Sequence, residues 1–375
     1  MADAPEVRDC VVIGAGQAGL SSAFHLRRLG IDHVVLDANA RPGGAWQHRW
    51  PTLTMESVHG VAGLPDMDVP DSARDEPARD FVPRYFAAYE DAYDIDVTRP
   101  VSVRRVDNDG VDNDGVDDGG GILRVWADDA MWRARTIVNA TGTWTQPFIP
   151  YYPGRETFVG EQFHTVDYRG AEAFRGKRTI VVGGGASAVQ LLGEIALVTD
   201  TIWVTRTEPR WRSGPFTAEL GRESVARVED RVRKGLPPSS VVDVTGLQLR
   251  PEEREAERRG AYRRHPMFAR IEPDGVRWAS GAFEYADAIL WATGFRPAVS
   301  HLAPLNLRTA EGGIRLTGRG RVPTQAAADK RVQMVGYGPS ASTIGANRAG
   351  RVAARGVADA LAQMPDGSTV AARAD

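Results

Sequence analysis

The chain is poor in three features, each of which would point to a particular class of protein. Its 375 residues contain one cysteine, Cys10, so an intramolecular disulfide, a CxxC redox pair and a cysteine-rich metal cluster are excluded. No run of about 18 consecutive apolar residues occurs, so no membrane-spanning helix is expected. The formal net charge of −3 provides no general attraction to nucleic acid or to an anionic membrane.

What is present indicates a globular protein with more than one domain. Hydrophobic residues make up 42% and charged residues 25% of the sequence, which is typical of such proteins, and 375 residues favour two separate cores. The first apolar run is short and is followed at once by glycines, so a secretory leader is not predicted. We therefore expect a cytoplasmic protein.

The first motif is a glycine-rich loop near the amino terminus. A buried strand is predicted over 10–13 and a helix over 17–29, and between them stands GxGxxG, formed by Gly14, Gly16 and Gly19. The first glycine permits a tight turn, the second lets a pyrophosphate approach the backbone, and the third lets the helix pack on the strand. A second strand over 33–36 leads to Asp37, whose carboxylate can accept hydrogen bonds from ribose hydroxyls and would repel a 2′-phosphate. The segment predicts a dinucleotide site.

The same design occurs again further along the chain. Strands are predicted over 179–182 and 202–204, and the motif that follows the first of them is GxGxSA, with Gly183, Gly185, Ser187 and Ala188. Ala188 replaces the third glycine, which is tolerated when the helix and the strand lie slightly farther apart. Arg206 stands as far from Gly183 as Asp37 stands from Gly14. A guanidinium there suits the 2′-phosphate of NADP, and the alternative is a solvated surface arginine.

Two further segments resemble each other and predict crossings between domains. TIVNATGTWTQPFIPYYPG and DAILWATGFRP each place an Ala-Thr-Gly turn between an apolar strand and prolines, with Thr141, Gly142, Thr293 and Gly294 as candidate binding residues. The simplest arrangement is an α/β fold with two Rossmann-like dinucleotide-binding domains, the second inserted in the first. We expect the first domain to comprise 1–154 and 294–375, and the inserted domain to comprise 155–293.

Two more segments are candidates for lining a ring-shaped cofactor. RPGGAWQHRWPTL supplies Gly43 and Gly44 for close backbone approach and Trp46 for a flat apolar surface; the alternative is a loop that covers the core. RVQMVGYGPSASTIGANRAGRV predicts a strand, a turn and a helix from about residue 343. The helix amino terminus can stabilise negative charge on a bound ring, and Gly345 would let the backbone approach it. A simple closing helix is the alternative there.

The stretch FVGEQFHTVDY lies between the two glycine loops and has the pattern FxGxxxHxxx(Y/F), formed by Phe158, Gly160, His164 and Tyr168. GxGxxG, GGAW, GxGxSA, the two Ala-Thr-Gly turns and this pattern occur in one order from about residue 8 to 362. In these motifs the chain resembles the class B flavoprotein monooxygenases. Baeyer–Villiger members usually carry Trp at the last position of the pattern. Tyr168 followed by Arg169 is more similar to the flavin-containing and plant auxin-forming types.

The resemblance implies FAD in the first domain, NADPH in the inserted domain, and O2 and a small molecule as substrates. NADPH would reduce FAD, the reduced flavin would take up O2 as a C4a-hydroperoxide, and a nitrogen or sulfur atom of the substrate would receive oxygen. No protein nucleophile or metal is needed. The candidate catalytic residues are His164, Asn347 and His48, and Thr52 and Ser57 are further candidates near the flavin. For His164, domain positioning, a structural role and proton transfer all stay open. A homodimer is considered.

Competing functions differ in what the sequence must supply. A flavin disulfide reductase needs a redox cysteine pair, which Cys10 alone cannot form. An NADPH-dependent reductase of a quinone, metal compound or protein carrier stays open, as does a non-enzymatic protein that responds to NADP.

Two charged stretches are interpreted structurally. The Asp/Gly repeat within 107–121 lacks EF-hand spacing and is expected to form a solvated hairpin tip. The charged run over 250–264 predicts a solvated helix.

Overall fold

The computed structural model describes residues 6–58, 60–72, 74–109, 121–212, 218–238, 246–318 and 322–364. The chain forms a mixed α/β fold with parallel sheets, which confirms the predicted fold class at that level. Helices cover the sheets, and two large hydrophobic clusters lie around the first sheet and two around the second.

The first sheet takes strands from both ends of the described chain. They are β1 Val7–Ile13, β2 His33–Leu36, β3 Val97–Thr98, β4 Arg105–Asn108, β5 Leu123–Trp126, β6 Met131–Asn139, β15 Leu316–Thr317, β16 Gln325–Ala326 and β17 Val332–Met334. The main order is β15-β16-β17-β6-β1-β2-β3, and the stretch from β17 to β3 is parallel. β4 and β5 form an antiparallel hairpin on the first half of β6, whose second half pairs with β17. The Asp/Gly repeat joins β4 to β5, but residues 110–120 lie outside the described part of the chain.

The second sheet is built entirely from the middle of the chain. Its strands are β7 Glu161–His164, β8 Thr179–Val182, β9 Thr201–Val204, β10 Arg264–His265 and β14 Ala288–Trp291. They run parallel in the order β10-β9-β8-β14-β7. A small antiparallel sheet beside them contains β11 Arg270–Glu272, β12 Gly275–Arg277 and β13 Phe283–Tyr285.

Six α-helices occur in the described residues: α1 Gln17–Arg28, α2 Ala78–Ala92, α3 Ala186–Ile195, α4 Ala218–Arg233, α5 Arg254–Arg258 and α6 Thr343–Leu361. α1 and α6 pack against each other through small residues. A Cβ on Gly350 would lie 2.8 Å from the backbone carbonyl carbon of Ser21, so the two helices approach as closely as their backbones allow. None of the described helices is long and apolar enough to cross a membrane.

The predicted solvated helix over 250–264 is wrong. The structure has a 3-10 turn at Pro251–Glu253, then the five-residue α5, and β10 from Arg264. Gly260 adopts a positive φ of 80°, a conformation that ends a right-handed helix. Glu253 is buried and its Oε2 accepts a hydrogen bond from Arg250 N at 2.7 Å, so the run also has a buried face. The many acidic residues and arginines of the run gave no indication of the turn at Gly260 or of the buried Glu253.

Candidate functional site

A cleft of about 1870 Å³ lies where the carboxyl ends of the parallel strands of both sheets meet, and residues from both sheets line it. A cavity that holds one drug-sized ligand measures about 300–1,000 Å³, so this cleft has room for more than one molecule. In each sheet the strand before the glycine loop has neighbours on both sides: β2 and β6 flank β1, and β9 and β14 flank β8. Such switch points in the strand order are where open α/β sheets bind ligands.

The first glycine loop is held tightly at its switch point. Gly14 N donates to Leu36 O at 2.7 Å, and Ala140 N, from the first Ala-Thr-Gly turn, donates to Ile13 O at 2.8 Å. Gly14 has a φ of 103°, and a Cβ there would lie 2.7 Å from Ala140 O. A Cβ on Gly19 would lie 1.8 Å from Gly14 O, which leaves no room for a side chain between α1 and the loop. The packing itself therefore requires these two glycines.

The second glycine loop repeats this arrangement. Gly183 N donates to Val204 O at 2.9 Å, and Ala292 N, from the second Ala-Thr-Gly turn, donates to Val182 O at 2.8 Å. A Cβ on Gly183 would lie 2.2 Å from Ala292 O. Gly185 differs, because a Cβ there would meet nothing within 4 Å and would point into open space. The space beside Gly185 is thus available to a ligand.

The helices that follow the two loops begin without side-chain caps. Gly16 and Gly185 occupy the N-cap positions of α1 and α3, neither makes a side-chain cap bond, and neither helix has an acidic residue in its first turn. Their first N–H groups and positive dipole ends are arranged as in sites that bind phosphate. α6 is different, because Ser342 Oγ accepts a hydrogen bond from Gly345 N at 3.1 Å and thereby caps it.

Asp37 is built into the first loop. It is buried, and its Oδ2 accepts from Ala15 N at 2.6 Å while its Oδ1 accepts from Asn39 N at 2.7 Å. Oδ1 also accepts from Asn39 Nδ2 at 2.8 Å, so the remaining capacity of Asp37 to accept from a ligand hydroxyl in the cleft lies on Oδ2. Arg206 is exposed on the opposite side of the cleft, beside the second loop. The neighbouring carboxylate of Glu208 pairs with Arg264 at 3.0 Å, and Arg206 faces the cleft.

The two crossing segments, residues 140–150 and 292–299, are hydrogen-bonded to each other. Five bonds join them: Thr141 Oγ1 to Ala298 O at 2.7 Å, Ala298 N to Gly142 O at 2.9 Å, Phe148 N to Gly294 O at 2.9 Å, Arg296 N to Gln146 O at 2.8 Å, and Thr293 Oγ1 to Phe148 O. Each Ala-Thr-Gly threonine thus bonds the backbone of the other segment. Both threonines line the cleft, and the paired segments connect its two halves.

His164 lies directly behind the second Ala-Thr-Gly turn. It is 2% exposed, its Nε2 donates to Gly294 O at 3.0 Å, and Val166 N lies 3.4 Å from its Nδ1 as a donor. This pattern fits a neutral imidazole, and burial lowers the pKa of His164 below its ordinary value. The side chain does not line the cleft. Its contacts hold the turn, which favours positioning among the three roles considered.

Tyr168, the last residue of the FxGxxxHxxx(Y/F) pattern, contacts a carboxylate on α3. Its hydroxyl donates to Glu194 Oε2 at 2.7 Å, and Thr52 Oγ1 donates to Glu194 Oε1 at 2.9 Å. Burial raises the pKa of Glu194. Thr52, a candidate near the flavin, is therefore engaged with Glu194 and not with the cleft, and it joins the segment after GGAW to α3.

The GGAW segment covers the first loop. Gly44 has a φ of 50°, and a Cβ there would lie 2.8 Å from the Cα of Gly16, so the two backbones touch. A Cβ on Gly43 would lie 2.7 Å from the side-chain Cγ of Pro83 in α2. His48 Nε2 donates to Asn39 Oδ1 at 2.6 Å, and its ring is stacked at 6.1 Å on Trp144. Burial lowers the pKa of His48. Through Asn39, His48 is linked to Asp37 beside the first loop.

Most of the candidate residues line the cleft. Those that do not are Gly19, Thr52, Ser57, His164, Ala188, Gly345 and Asn347. Ala188 is fully buried at the start of α3, and a Cβ on Gly345 would lie 2.7 Å from Pro339 O, so the packing of its own loop accounts for that glycine.

Asn347 and Ser57 are engaged in local contacts. Asn347 accepts from Gln17 Nε2 at 3.1 Å and donates to Gly63 O. Ser57 Oγ donates to Thr54 O at 3.1 Å and, like Thr52, lies outside the cleft lining.

Among the cleft residues that the sequence reasoning did not single out are Trp144, Phe295 and Arg49. Phe295 directly follows the second Ala-Thr-Gly turn, Trp144 lies two residues after the first, and the two rings stack on each other at 5.2 Å. An aromatic residue close behind each turn was a signal that could have found them. Arg49 follows His48 in the GGAW segment and also faces the cleft, but a lone arginine in a loop carries no local signal. Among the described residues, no group of three or more His, Cys, Asp or Glu side chains is placed to hold a metal ion.

The chain is similar to known proteins over most of its length. A family model described as pyridine nucleotide-disulphide oxidoreductase matches residues 11–240. A flavin-containing monooxygenase from Stenotrophomonas maltophilia has a solved structure that is 37% identical, with a TM-score of 0.80, covering 95% of this chain and 99% of that chain.

Two more distant similarities agree with this. Indole-3-pyruvate monooxygenase YUCCA1 of Oryza sativa subsp. japonica is 30% identical over 187 residues, 49% of this chain and 44% of that protein, so the chain matches less than half of this relative. The crystal structure of OTEMO in complex with FAD and NADP shares the fold at 18% identity and a TM-score of 0.63, covering 96% of this chain and 86% of that one. The predicted resemblance is confirmed: the chain belongs to the pyridine nucleotide-disulphide oxidoreductase family and, within it, to the class B flavoprotein monooxygenases.

Proposed function

We propose that the chain binds FAD at the first glycine loop and NADPH at the second. This proposal keeps the two Rossmann-like dinucleotide-binding domains, with 155–293 inserted between 1–154 and 294–375. The observation that carries it is the duplicated turn: at both switch points a glycine packs on an Ala-Thr-Gly turn below a helix without a side-chain cap, and both turns border one cleft.

The charges beside the two loops support the assignment of one dinucleotide to each. Asp37 is buried against the first loop, where a 2′-phosphate would meet a carboxylate, so the dinucleotide there is one with free ribose hydroxyls, such as FAD. Arg206 at the second loop offers a guanidinium to a 2′-phosphate, which NADPH carries and NADH lacks. The missing side chains at Gly16 and Gly185 fit the close approach of a pyrophosphate at both loops.

We propose that the reaction is the oxygenation of a small molecule at nitrogen or sulfur, with NADPH and O2 as co-substrates. FAD, when bound, supplies the redox chemistry: it accepts a hydride from NADPH and then carries oxygen as a C4a-hydroperoxide. The protein binds and orients both dinucleotides, and the aromatic wall of Trp144 and Phe295 helps to exclude water. We assign His164 to positioning, because its Nε2 bonds the turn that follows β14 and its side chain does not line the cleft.

Stopped-flow absorbance tests this proposal. NADPH-reduced protein mixed with O2 is expected to show a C4a-(hydro)peroxyflavin band before the oxidised flavin returns, and mass spectrometry of a sulfide substrate is expected to show one added oxygen atom. Rapid reoxidation without that band would instead support a reductase of a quinone, metal compound or protein carrier. If NADPH failed to reduce the flavin, a non-enzymatic NADP-responsive protein would remain.

A disulfide reductase finds no support in the chain. Cys10 lies in β1, is completely buried, and burial raises its pKa to about 12. A thiol in that state is a poor nucleophile and has no partner cysteine in the sequence. The proposed homodimer of the monooxygenase stays a prediction, which sedimentation of the holoenzyme would check.

A further inference from the structure

Arg49 lies in the wall of the cleft, between two tryptophans. It follows the 3-10 turn Gly44–His48 directly, and its guanidinium carbon lies 5.5 Å from the ring centre of Trp46 and 4.9 Å from that of Trp144. The two rings come from segments that are nearly a hundred residues apart in sequence, the GGAW segment and the first crossing. They hold the guanidinium in one place beside the cleft, which Arg49 lines together with both tryptophans.

The guanidinium has no counterion among the described residues. Its Nε is buried without a hydrogen-bond partner, and no ion pair joins it to a described carboxylate. Burial lowers the pKa of Arg49 to about 10, so the side chain still carries its charge at neutral pH. A charge removed from water without a partner costs free energy, and a bound anion would offset that cost. Tryptophan faces attract the cation but offer no hydrogen-bond acceptor.

The other charged groups of the cleft differ from Arg49. Asp37 is bonded to the first loop, Glu208 pairs with Arg264, and Arg104 pairs with Asp128 at 2.9 Å. Arg206, beside the second loop, and Arg210 are both exposed. Within the described lining, Arg49 combines a buried Nε with two aromatic walls and an open face toward the cleft.

We propose that Arg49 is an anion-binding residue that receives the carboxylate of an acidic substrate. This inference rests on the proposed monooxygenase function, which it narrows to substrates that carry an oxyanion beside the nitrogen or sulfur to be oxygenated. The guanidinium fork donates two parallel hydrogen bonds to a carboxylate, a geometry that a neutral amide cannot match. The phosphates of the two dinucleotides are the other source of an oxyanion, but the uncapped starts of α1 and α3 and Arg206 already provide for them.

Matched sulfides test the inference by turnover. Wild-type holoenzyme is expected to oxygenate 4-(methylsulfanyl)benzoate with a kcat/KM roughly 10- to 100-fold above that for 4-(methylsulfanyl)benzamide, as a charge-assisted bidentate contact implies. Arg49→Met keeps the length of the side chain and removes its charge, and is expected to abolish this preference. Arg49→Lys keeps the charge without the fork and is expected to retain part of it. A wild-type enzyme that prefers the amide, or an Arg49→Met variant that keeps the acid preference, overturns the inference.

A binding measurement separates this inference from the proposed function. Calorimetry with 4-methylbenzoate and 4-methylbenzamide, which contain no sulfur to oxygenate, reports the charge preference without turnover. The acid is expected to bind the wild type roughly 10- to 100-fold more tightly than the amide, and Arg49→Met is expected to bind both alike. Equal dissociation constants in the wild type overturn the inference even if sulfides are oxygenated. An Arg49-dependent preference without any oxygenated product supports the inference and refutes the monooxygenase proposal.

A cofactor measurement distinguishes the two sources of the oxyanion. In Arg49→Met, the FAD content and the dissociation constant for NADP⁺ are expected to stay within about threefold of wild type, because the loops and Arg206 hold the phosphates. A tenfold or greater weakening of NADP⁺ with an unchanged acid preference would assign Arg49 to a dinucleotide phosphate and overturn the proposal. Arg28→Met is the matched control, since Arg28 lies 5.6 Å over the ring of Phe24 on the exposed face of α1. It is expected to leave all three readouts unchanged.

Discussion

The two glycine loops share one backbone plan but differ in how each is joined to the charged residue beside it. In both, the first glycine packs on the carbonyl of an Ala-Thr-Gly alanine. Asp37 is buried and bonded to Ala15 N of its own loop, so the acid is a structural part of the first site. Arg206 is exposed beside the second loop and bonds no part of it. The carboxylate of Asp37 is therefore hydrogen-bonded into the first loop, whereas the guanidinium of Arg206 lies on the surface and is not bonded to the second loop.

A second difference concerns the third position of each motif. Gly19 lies against Gly14 O, where a Cβ would approach to 1.8 Å, but the equivalent residue of the second loop is Ala188, which is fully buried without disrupting α3. The helix of the second loop thus accommodates a methyl group that the first loop excludes. At the third position of the motif, the first loop therefore has room for glycine alone, whereas the second loop accommodates alanine.

The largest expected effect comes from exchanging the residues at this third position. Gly19→Ala forces α1 away from the first loop and is expected to lower the free energy of unfolding by several kcal/mol, roughly 3 to 5, with loss of FAD. Ala188→Gly is expected to cost about 1 kcal/mol of unfolding free energy, because it removes one buried methyl group and replaces alanine with a residue of lower helix propensity. Thermal unfolding and flavin content check both variants. A Gly19→Ala protein that melts with the wild type would show that the two loops do not differ in this way.

The charged residue of the second loop provides the next comparison. Arg206→Ala is expected to raise the KM for NADPH roughly 10- to 100-fold and to change the KM for NADH little, because the lost contact is to the 2′-phosphate. Steady-state oxidation of both coenzymes measures this, and FAD content is expected to stay unchanged because Arg206 bonds no part of the first loop. Equal effects on NADPH and NADH would refute the assignment. Arg28→Ala, on the outer face of α1, serves as the control for net charge.

A buried histidine lies beside each of the two Ala-Thr-Gly turns, and this predicts that the stability of the fold depends on pH. His301 Nε2 donates to Asn139 Oδ1 at 2.7 Å beside the first turn, and burial lowers its pKa to about 4, while the pKa of His164 behind the second turn is lowered as well. Because the folded pKa lies below the unfolded value, the unfolded chain takes up the proton first, and stability present above about pH 6.5 is lost as the pH falls toward 4. We expect roughly 1 kcal/mol of that loss from His301 between pH 7 and pH 5.5.

Thermal melts across this pH range measure the effect. His301→Gln keeps a side-chain donor for Asn139 but cannot titrate, so its melting temperature is expected to fall less steeply with acid than that of the wild type. Parallel slopes for the two proteins would show that His301 does not take up a proton on unfolding.

The last comparison concerns the carboxylate of Glu194 on α3, which accepts from both Tyr168 and Thr52. Tyr168→Phe removes one of the donors to the Glu194 carboxylate and leaves Thr52 in place, and it is expected to cost about 1 to 2 kcal/mol of unfolding free energy. A double-mutant cycle with Glu194→Gln is expected to show a coupling of roughly 1 kcal/mol. Additive effects of the two changes would mean that the hydroxyl and the carboxylate do not stabilise each other.

The parts of the site that were predictable from sequence are those with local rules. The strands at 179–182 and 33–36, the start of α1 and the start of α6 were placed correctly, because apolar runs and glycine turns act over a few neighbouring residues. The charged run at 250–264 was misjudged, since Gly260 and the burial of Glu253 decide its path and composition conceals both.

Several contacts that sequence reasoning missed join distant segments. Arg49 acquires its setting only when Trp144 folds over it, and Glu194 acquires its donors only when Thr52 and Tyr168 reach α3. Neither side chain belongs to a spacing pattern, so no periodicity or motif could have indicated it.

The sequence by itself determined the two glycine turns and the opposite charges that follow them, because the backbone freedom of glycine and the length of a strand-helix-strand unit are local properties. The tertiary structure decided which atoms those turns meet. The hydrogen bonds between the two crossing segments, the bond from His164 to Gly294 O and the place of Arg49 between two tryptophans all depend on chain segments that meet only when both sheets have formed.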